Sequence, residues 1–197
     1  MATFRTIVRT LMVVVILLFT SLAYYGYVQD GAARAEADIP TLPDFEHTNN
    51  QQFIDNVVQC VNYIEHNTTD VYPVNLELLI AQAALESGWG NSRFARVGKN
   101  LFGIRTYDLK EPHMLPSNNP KKWGVKVYTH ECDSVLNYMQ VLNNGGAYEK
   151  YRNLIDSGQN DPYVLVETLD AYAADKHYFS KIKSILTKVR SEYEVKQ

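Results

Sequence analysis

Helical periodicity is present on both sides of residues 99–128 and missing between them, and this interruption limits what the chain can fold into. Before it, Phe53, Val57, Val61 and Ile64 recur at i, i+4, i+8 and i+11, with Thr48 or Asn49 available as N-cap. Pro73 and Asn75 then open a second helix, Leu76 to Ser87, which is rich in Leu and Ala and is stopped by Gly88 and Gly90. Asn91 or Ser92 starts a short helical turn to Val97. Between Lys99 and Tyr128 come Gly103, Pro112, Pro116, Pro120 and Gly124. Such spacing of breakers rules out a long helix and leaves a hairpin or loop lobe, with short strands expected at 101–107 and 123–128. After it, Asp133 is placed to cap a helix carrying Val135, Leu136, Met139 and Leu142, ended by Asn143-Asn144-Gly145-Gly146. A short helix is expected near 147–156, another from Asp161-Pro162 to about Ala173, and a last one from His177 to Glu194. The fold class is therefore α+β, predominantly α, with a small β lobe inserted between helices.

The N-terminus is of another kind. Arg5 and Arg9 precede an uncharged run from Leu11 to Val28, and charges return at Asp30, Arg34, Glu36 and Asp38. Basic residues ahead of an apolar run orient it with its N-terminus in the cytoplasm. Its length suits a short membrane span and is long for a signal-peptide core. Ala33-Arg34-Ala35 and Ala35-Glu36-Ala37 offer small-residue cleavage patterns, some distance past the run. The expected division is a cytoplasmic n-region at 1–10, a signal anchor or signal peptide at 11–28, a linker at 29–47 containing Pro40 and Pro43, and a catalytic domain at 48–197. That places the domain outside the inner membrane, in the periplasm, anchored or released according to cleavage. About 155 residues then remain, enough for one domain with one sizeable core.

A net charge of −3 argues against nucleic acid as a partner, for which a basic balance is needed. The 14 Tyr, 7 Phe and 2 Trp fill cores in most proteins, and they also stack on the C–H faces of sugars. Cys60 and Cys132 are the two cysteines. An exported domain permits a disulfide between them, and a buried free thiol fits Cys60 as well. Neither CxxC nor HExxH occurs, so no metal site and no cofactor are expected.

Chemistry concentrates at Ala81-Gln82-Ala83-Ala84-Leu85-Glu86-Ser87-Gly88-Trp89-Gly90. Glu86 ends an apolar helix. Desolvation and the negative end of the helix dipole both raise a carboxyl pKa there. An acid kept protonated near neutral pH is what glycoside cleavage requires, because the glycosidic oxygen leaves poorly until it is protonated. Taken alone, the position also describes an ordinary exposed Glu at a helix end.

The stretch Leu79 to Tyr107 closely resembles the bacterial glucosaminidase family of peptidoglycan hydrolases, which includes Bax-type and flagellar-rod enzymes of the lysozyme-like superfamily. AQAALESGWG is followed in order by Ser92-Arg93-Phe94, by Asn100-Leu101-Phe102-Gly103-Ile104, and by Ala171-Tyr172-Ala173-Ala174-Asp175 with Tyr178. Cys132-Asp133-Ser134-Val135 after Tyr128, and Leu42-Pro43-Asp44-Phe45, are also similar to family segments. The resemblance covers about residues 42–190. It implies a lysozyme-like fold and cleavage of the β-1,4 bond after N-acetylglucosamine, with Glu86 as general acid. It places Tyr172 in the cleft, where the phenol would steady the oxocarbenium-like transition state or orient the acetamido group; helix packing is the other reading. Gln82, Trp89, Asn100, Phe102, Gly103, Tyr128 and Tyr178 are the expected substrate-binding set, with Trp89 giving Glu86 its apolar surroundings. A monomer acting on glycan strands is expected.

The second catalytic group is not legible. The family's Thr-x-Glu-like context is absent between 104 and 124, which leaves Glu111, then Asp108, or the substrate's own acetamido group. Glu131 reads as a helix cap. A lytic transglycosylase, in which Glu86 acts without added water, and a non-catalytic wall-binding or assembly module are the alternative functions.

Overall fold

The structure is a computed structural model. It describes residues 12, 15–29, 39–70, 72–117, 122–172 and 175–193. Contacts divide the chain into two units, 1–40 and 41–197.

In the larger unit, α1 (Asn50–Asn67) starts where Asn49 caps it by accepting from the Gln52 N–H. Helix α2 (Leu76–Ser87) is capped by Asn75 and closed by Gly88 in the left-handed conformation. From Leu78 to Ala84 every residue of α2 is buried, so the helix has no solvent face and forms the centre of the domain. Helix α3 (Arg93–Gly98) begins at Ser92, whose side chain accepts from the Ala95 N–H. The β lobe follows, with β1 (Arg105–Thr106), β2 (His113–Met114) and β3 (Gly124–Lys126) in the antiparallel order β1-β3-β2. The register pairs Arg105 with Val125 and His113 with Lys126. Helices α4 (Glu131–Asn144), α5 (Glu149–Asp156), α6 (Pro162–Leu165) and α7 (Tyr178–Glu192) complete the unit. Helix α2 packs along α7, and α1 along α4.

The two cysteines are joined: Cys60 of α1 and Cys132 of α4 form a buried disulfide. Among the described residues, the one grouping of metal-capable side chains is Cys60, His130 and Cys132. Its two sulfurs are spent in that disulfide and are not thiolate ligands.

Four expectations change. Strand β2 was not anticipated, because its two residues carry no period-2 pattern. His130, rather than Asp133, is the N-cap of α4; Asp133 sits at the third helical position and completes a capping box with it. Glu131 is the first helical residue, buried and paired with Lys99 at 2.8 Å, rather than a cap. The helix expected from Asp161 to about Ala173 is a single turn, Pro162–Leu165, followed by the 3-10 turn Val166–Thr168. Tyr172 therefore stands in a turn and not on a helix. Ala173, Ala174 and Pro120 lie outside the described residues.

Pro43 and Phe45, which fall in the expected linker, are buried in the second unit. In the first unit, residues 15–29 are helical, with Leu17, Phe19, Leu22 and Tyr25 exposed. Among the described residues no helix is long and apolar enough to cross a membrane. The n-region 1–10, residues 11, 13 and 14 of the apolar run, and 30–38 of the linker lie outside the described residues.

Candidate active site

Glu86 lies one residue before the end of α2, where the helix emerges from the core, so its carboxyl is half-buried while its neighbours Ala83, Ala84 and Ser87 are buried. Beside it opens a cleft of about 620 Å³. One wall is the 102–107 segment that leads into β1, and the other is Tyr148 with the turn at Ala171–Tyr172 and Asp175. The β lobe therefore supplies one bank of the cleft and the helical body the other.

Burial is the largest influence on Glu86 and raises its pKa above the ordinary carboxylate range. The neighbouring Tyr178 hydroxyl and the charge of Lys181 pull the other way without cancelling it. Asp175, on the same cleft, is held below the usual range by the Lys181 ammonium at 2.6 Å and by the His177 N–H at 2.9 Å. One cleft thus holds a carboxyl biased towards the neutral acid and a carboxylate biased towards the anion, the division of roles that acid–base chemistry on a glycoside needs.

The aromatic residues of this region form a connected group. Phe102 stacks on Tyr138 at 4.2 Å, and Tyr172 stacks on Tyr178 at 6.0 Å with Tyr138 edge-on to it. The Tyr172 hydroxyl donates to the Phe102 carbonyl at 2.9 Å, which ties the turn before α7 to the opposite bank. Burial pushes the Tyr172 phenol well above its ordinary range, so it stays neutral. Gly103 has φ +65°, and a Cβ there would lie 3.8 Å from Glu86 Oε2. The backbone passes the acid in a conformation that a side chain would strain.

Of the residues expected from sequence, Glu86, Phe102, Gly103 and Tyr172 line this cleft. Gln82 and Tyr178 are buried beneath it. Asn100, for which the sequence left both sugar contact and structural support open, is a strut. Its amide donates to the Ile104 and Lys126 carbonyls at 2.9 and 2.8 Å, and its oxygen accepts from the Phe102 and Ile104 N–H groups. Every polar group of the buried side chain is thereby used. Trp89 packs its ring against Phe53 and Tyr193 and is not part of the cleft wall. Tyr128 gives its hydroxyl to Asn137 Oδ1 at 2.8 Å and is not part of the cleft wall. Glu111 is exposed on the β lobe, where its Oε2 accepts from Thr106 Oγ1 at 3.0 Å and lies 3.7 Å from Lys126 Nζ. It does not line the cleft, and neither does Asp108. Sequence reasoning missed Asp175, Tyr148, Arg105 and Tyr107 as cleft residues. Only Asp175 left a signal, as the last residue of the Ala171–Asp175 motif.

Known proteins are similar to this chain in fold and in sequence. The catalytic domain of the autolysin Auto from Listeria monocytogenes superposes with a TM-score of 0.54 over 82% of this chain and 94% of that one, at 24% identity, a likeness of fold. The exo-glucosaminidase LytG of Bacillus subtilis is 28% identical over 127 residues, covering 59% of this chain and 45% of that protein. The peptidoglycan hydrolase FlgJ of Pseudomonas aeruginosa is 30% identical over 132 residues, 60% of this chain and 32% of that protein. Protein bax of Escherichia coli is 33% identical over 84 residues, 42% of this chain and 28% of that protein. The chain thus spans less than half the length of these relatives. Residues 65–191 match the glucosaminidase family model, described as mannosyl-glycoprotein endo-beta-N-acetylglucosaminidase. That match takes in the acid-bearing end of α2, the β lobe and the Tyr172–Tyr178 segment together, and the chain belongs to the glucosaminidase family.

Proposed function

We propose that the chain is a peptidoglycan hydrolase, a β-N-acetylglucosaminidase that cleaves β-1,4 glycan bonds with Glu86 as general acid. The observation that carries this reading is a carboxyl with a raised pKa on the wall of an aromatic-lined cleft. Glu86 protonates the glycosidic oxygen as the bond to the anomeric carbon breaks, and water completes the hydrolysis. Tyr107, exposed on the cleft wall, and the half-buried Tyr172 offer ring surface on which sugars pack. The relatives named as an exo-glucosaminidase, a peptidoglycan hydrolase and a putative endo-beta-N-acetylglucosaminidase of Streptococcus pneumoniae support the substrate class. Mass spectrometry of purified wall after digestion tests it. New reducing N-acetylglucosamine ends are the expected product. Anhydro-sugar ends would instead identify a transglycosylase, and no release at all a wall-binding module.

The second carboxylate is assigned to Asp175 in preference to Glu111. Asp175 is on the cleft and held ionised, whereas Glu111 is tied down outside it by Thr106 and Lys126. Asp175→Asn is expected to lower kcat on wall glycan by on the order of 10²-fold, the low end for a positioned acid–base group. Glu111→Gln should stay within a few-fold of wild type. Steady-state rates of the two variants, measured side by side, check the assignment; the reverse order would return the role to Glu111 on a moving β lobe.

We further propose that residues 11–28 hold the domain at the outer face of the inner membrane. The uncharged run behind Arg5 and Arg9, and the apolar side chains exposed along helix 15–29, support this. Membrane fractionation after alkaline carbonate washing reads it directly.

A further inference from the structure

Strand alternation decides what the β-lobe bank of the cleft presents. In β1, Arg105 is exposed and Thr106 is buried. Arg105 and Tyr107, two positions apart, therefore share one face, and both line the cleft. The register pairs Arg105 with Val125 and Thr106 with Gly124. Trp123, two positions before Val125, falls on the same face and diagonal to Arg105, within reach of a long side chain. The contact is made: the guanidinium carbon of Arg105 lies 4.0 Å from the centre of the Trp123 ring. The backbone beneath it is fixed. The Ile104 carbonyl accepts from both the Asn100 amide and the Lys126 N–H, each at 2.9 Å.

Attraction between a cation and a ring face needs no acceptor atom, so it leaves the guanidinium donors unspent. Among the described residues, Arg105 enters no ion pair. It is also the one cation among the described residues that line the cleft. The carboxylate across from it, Asp175, is already bound to Lys181 at 2.6 Å. A positive charge thus stands on the cleft wall with its direction set and its hydrogen bonds unused.

We propose that Arg105 is a specificity-determining residue that binds a carboxylate carried by the glycan, so that the cleft selects anionic strands over neutral ones. This rests on the cleft being the glycan-cleaving site. Wall glycan bears lactyl ethers whose carboxyl is either free or extended by a peptide with carboxylates of its own, whereas a strand of N-acetylglucosamine alone bears none. A planar guanidinium meets a carboxylate edge to edge through paired N–H···O bonds. Trp123 restricts the rotamers of a long side chain in advance, so less freedom is lost when the anion binds. Arg105 follows Gly103 by two residues on the bank that passes Glu86, which assigns the anion to a sugar close to the bond being broken. Tyr107, exposed beside it, offers its ring to that sugar.

The probes are soluble wall-glycan strands that differ in charge: stripped of peptide, with free lactyl carboxylates; stripped and reduced, with those groups turned to alcohols; and peptide-bearing, with the lactyl carboxyl in an amide and the anions on the peptide. For the wild-type chain, kcat/KM on a carboxylate-bearing form is expected to exceed that on the reduced form about tenfold at low salt, the gap narrowing as salt rises. Preference for the stripped form assigns the carboxylate to the lactyl group, and preference for the peptide-bearing form assigns it to the peptide. Arg105→Gln should bring the ratio to within about twofold of one, and Arg105→Lys should keep part of it, as a charge without the planar fork. An Arg105 that only supports the lobe would lower the rate on every form alike and leave the ratio unmoved. Equal wild-type rates on charged and reduced strands, or a preference that survives Arg105→Gln, overturns the proposal. The wild-type comparison needs no variant, so it decides even where Arg105→Gln does not fold. Calorimetric binding of the same strands to Glu86→Gln reads the preference without turnover. A wild-type chain that cleaves no glycan would refute the functional reading, and the binding ratio would then decide on Arg105 by itself.

Discussion

Glu86→Gln is expected to bring wall digestion to background while leaving the fold intact. A positioned general acid contributes on the order of 10²–10⁴ in rate, and no other cleft carboxyl is biased to be protonated: Asp175, which shares the cleft, is shifted the other way. Gln cannot donate a proton to a glycosidic oxygen. The stability effect has the opposite sign to the catalytic one. The Glu86 pKa is raised in the fold, so the native state holds its proton more tightly than the unfolded chain does. Stability therefore falls as pH rises through the interval between the ordinary and the raised value. A neutral Gln removes that loss, and the variant should melt no lower than wild type at pH 7. Dye-release digestion of purified wall, together with calorimetry, checks both parts. Substantial residual digestion would sink the acid assignment, and a large fall in Tm would show that the side chain holds the fold. In the wild type the activity should be present below the raised pKa and decline as pH passes through it.

Reducing the disulfide should have the largest effect on stability. Cys60 and Cys132 close a loop of sequence separation 72. In the chain-entropy account, opening a loop of that length costs about 4 kcal/mol. A domain of this size holds only about 5–15 kcal/mol in all. A Cys60→Ala/Cys132→Ala variant is therefore expected to melt about 10 °C lower, with activity retained at temperatures where it is folded. The bridge joins α1 to α4 and neither cysteine lines the cleft, so its loss is expected to act through unfolding. Thermal melts with and without dithiothreitol would show it. Coincident melts would mean that α1–α4 packing alone supplies the constraint. A bridge of this weight also suits an oxidising compartment, which export would provide.

The helices were legible wherever a local signal was complete. Asn75 and Gly88 bracket α2, Asn49 caps α1 and Ser92 opens α3, each through chemistry confined to neighbouring residues. The segment after Asp161 misled, because Pro at the first helical position starts a helix without saying how long it runs. In the structure it runs for one α-turn and tightens into the 3-10 turn Val166–Thr168. Strand β2 was invisible for the same reason: two residues have no period, and only pairing with β3 makes them a strand.

The site divides along the same line. The carboxyl proposed as its acid could be picked out from sequence, because a motif fixes residue types in order. Which residues stand beside that acid could not. Trp89 is three positions from Glu86 in the chain, yet its ring belongs to the Phe53 and Tyr193 side of the core. Asn100 sits inside a family motif and spends its whole amide holding the loop that carries Phe102 and Gly103. Asp175 reaches the cleft because the turn after α6 brings it there, and Glu111 stays out because Thr106 and Lys126 hold it on the lobe.

By itself, then, the sequence determined the class of fold, the ends of most helices and the family, since each follows from local pattern or ordered motif. Only the tertiary structure decided the cysteine pairing, the walls of the cleft and which carboxylates line it. Those depend on which side chains meet across distant segments, and burial, distance and hydrogen-bond polarity exist only once the chain has closed on itself.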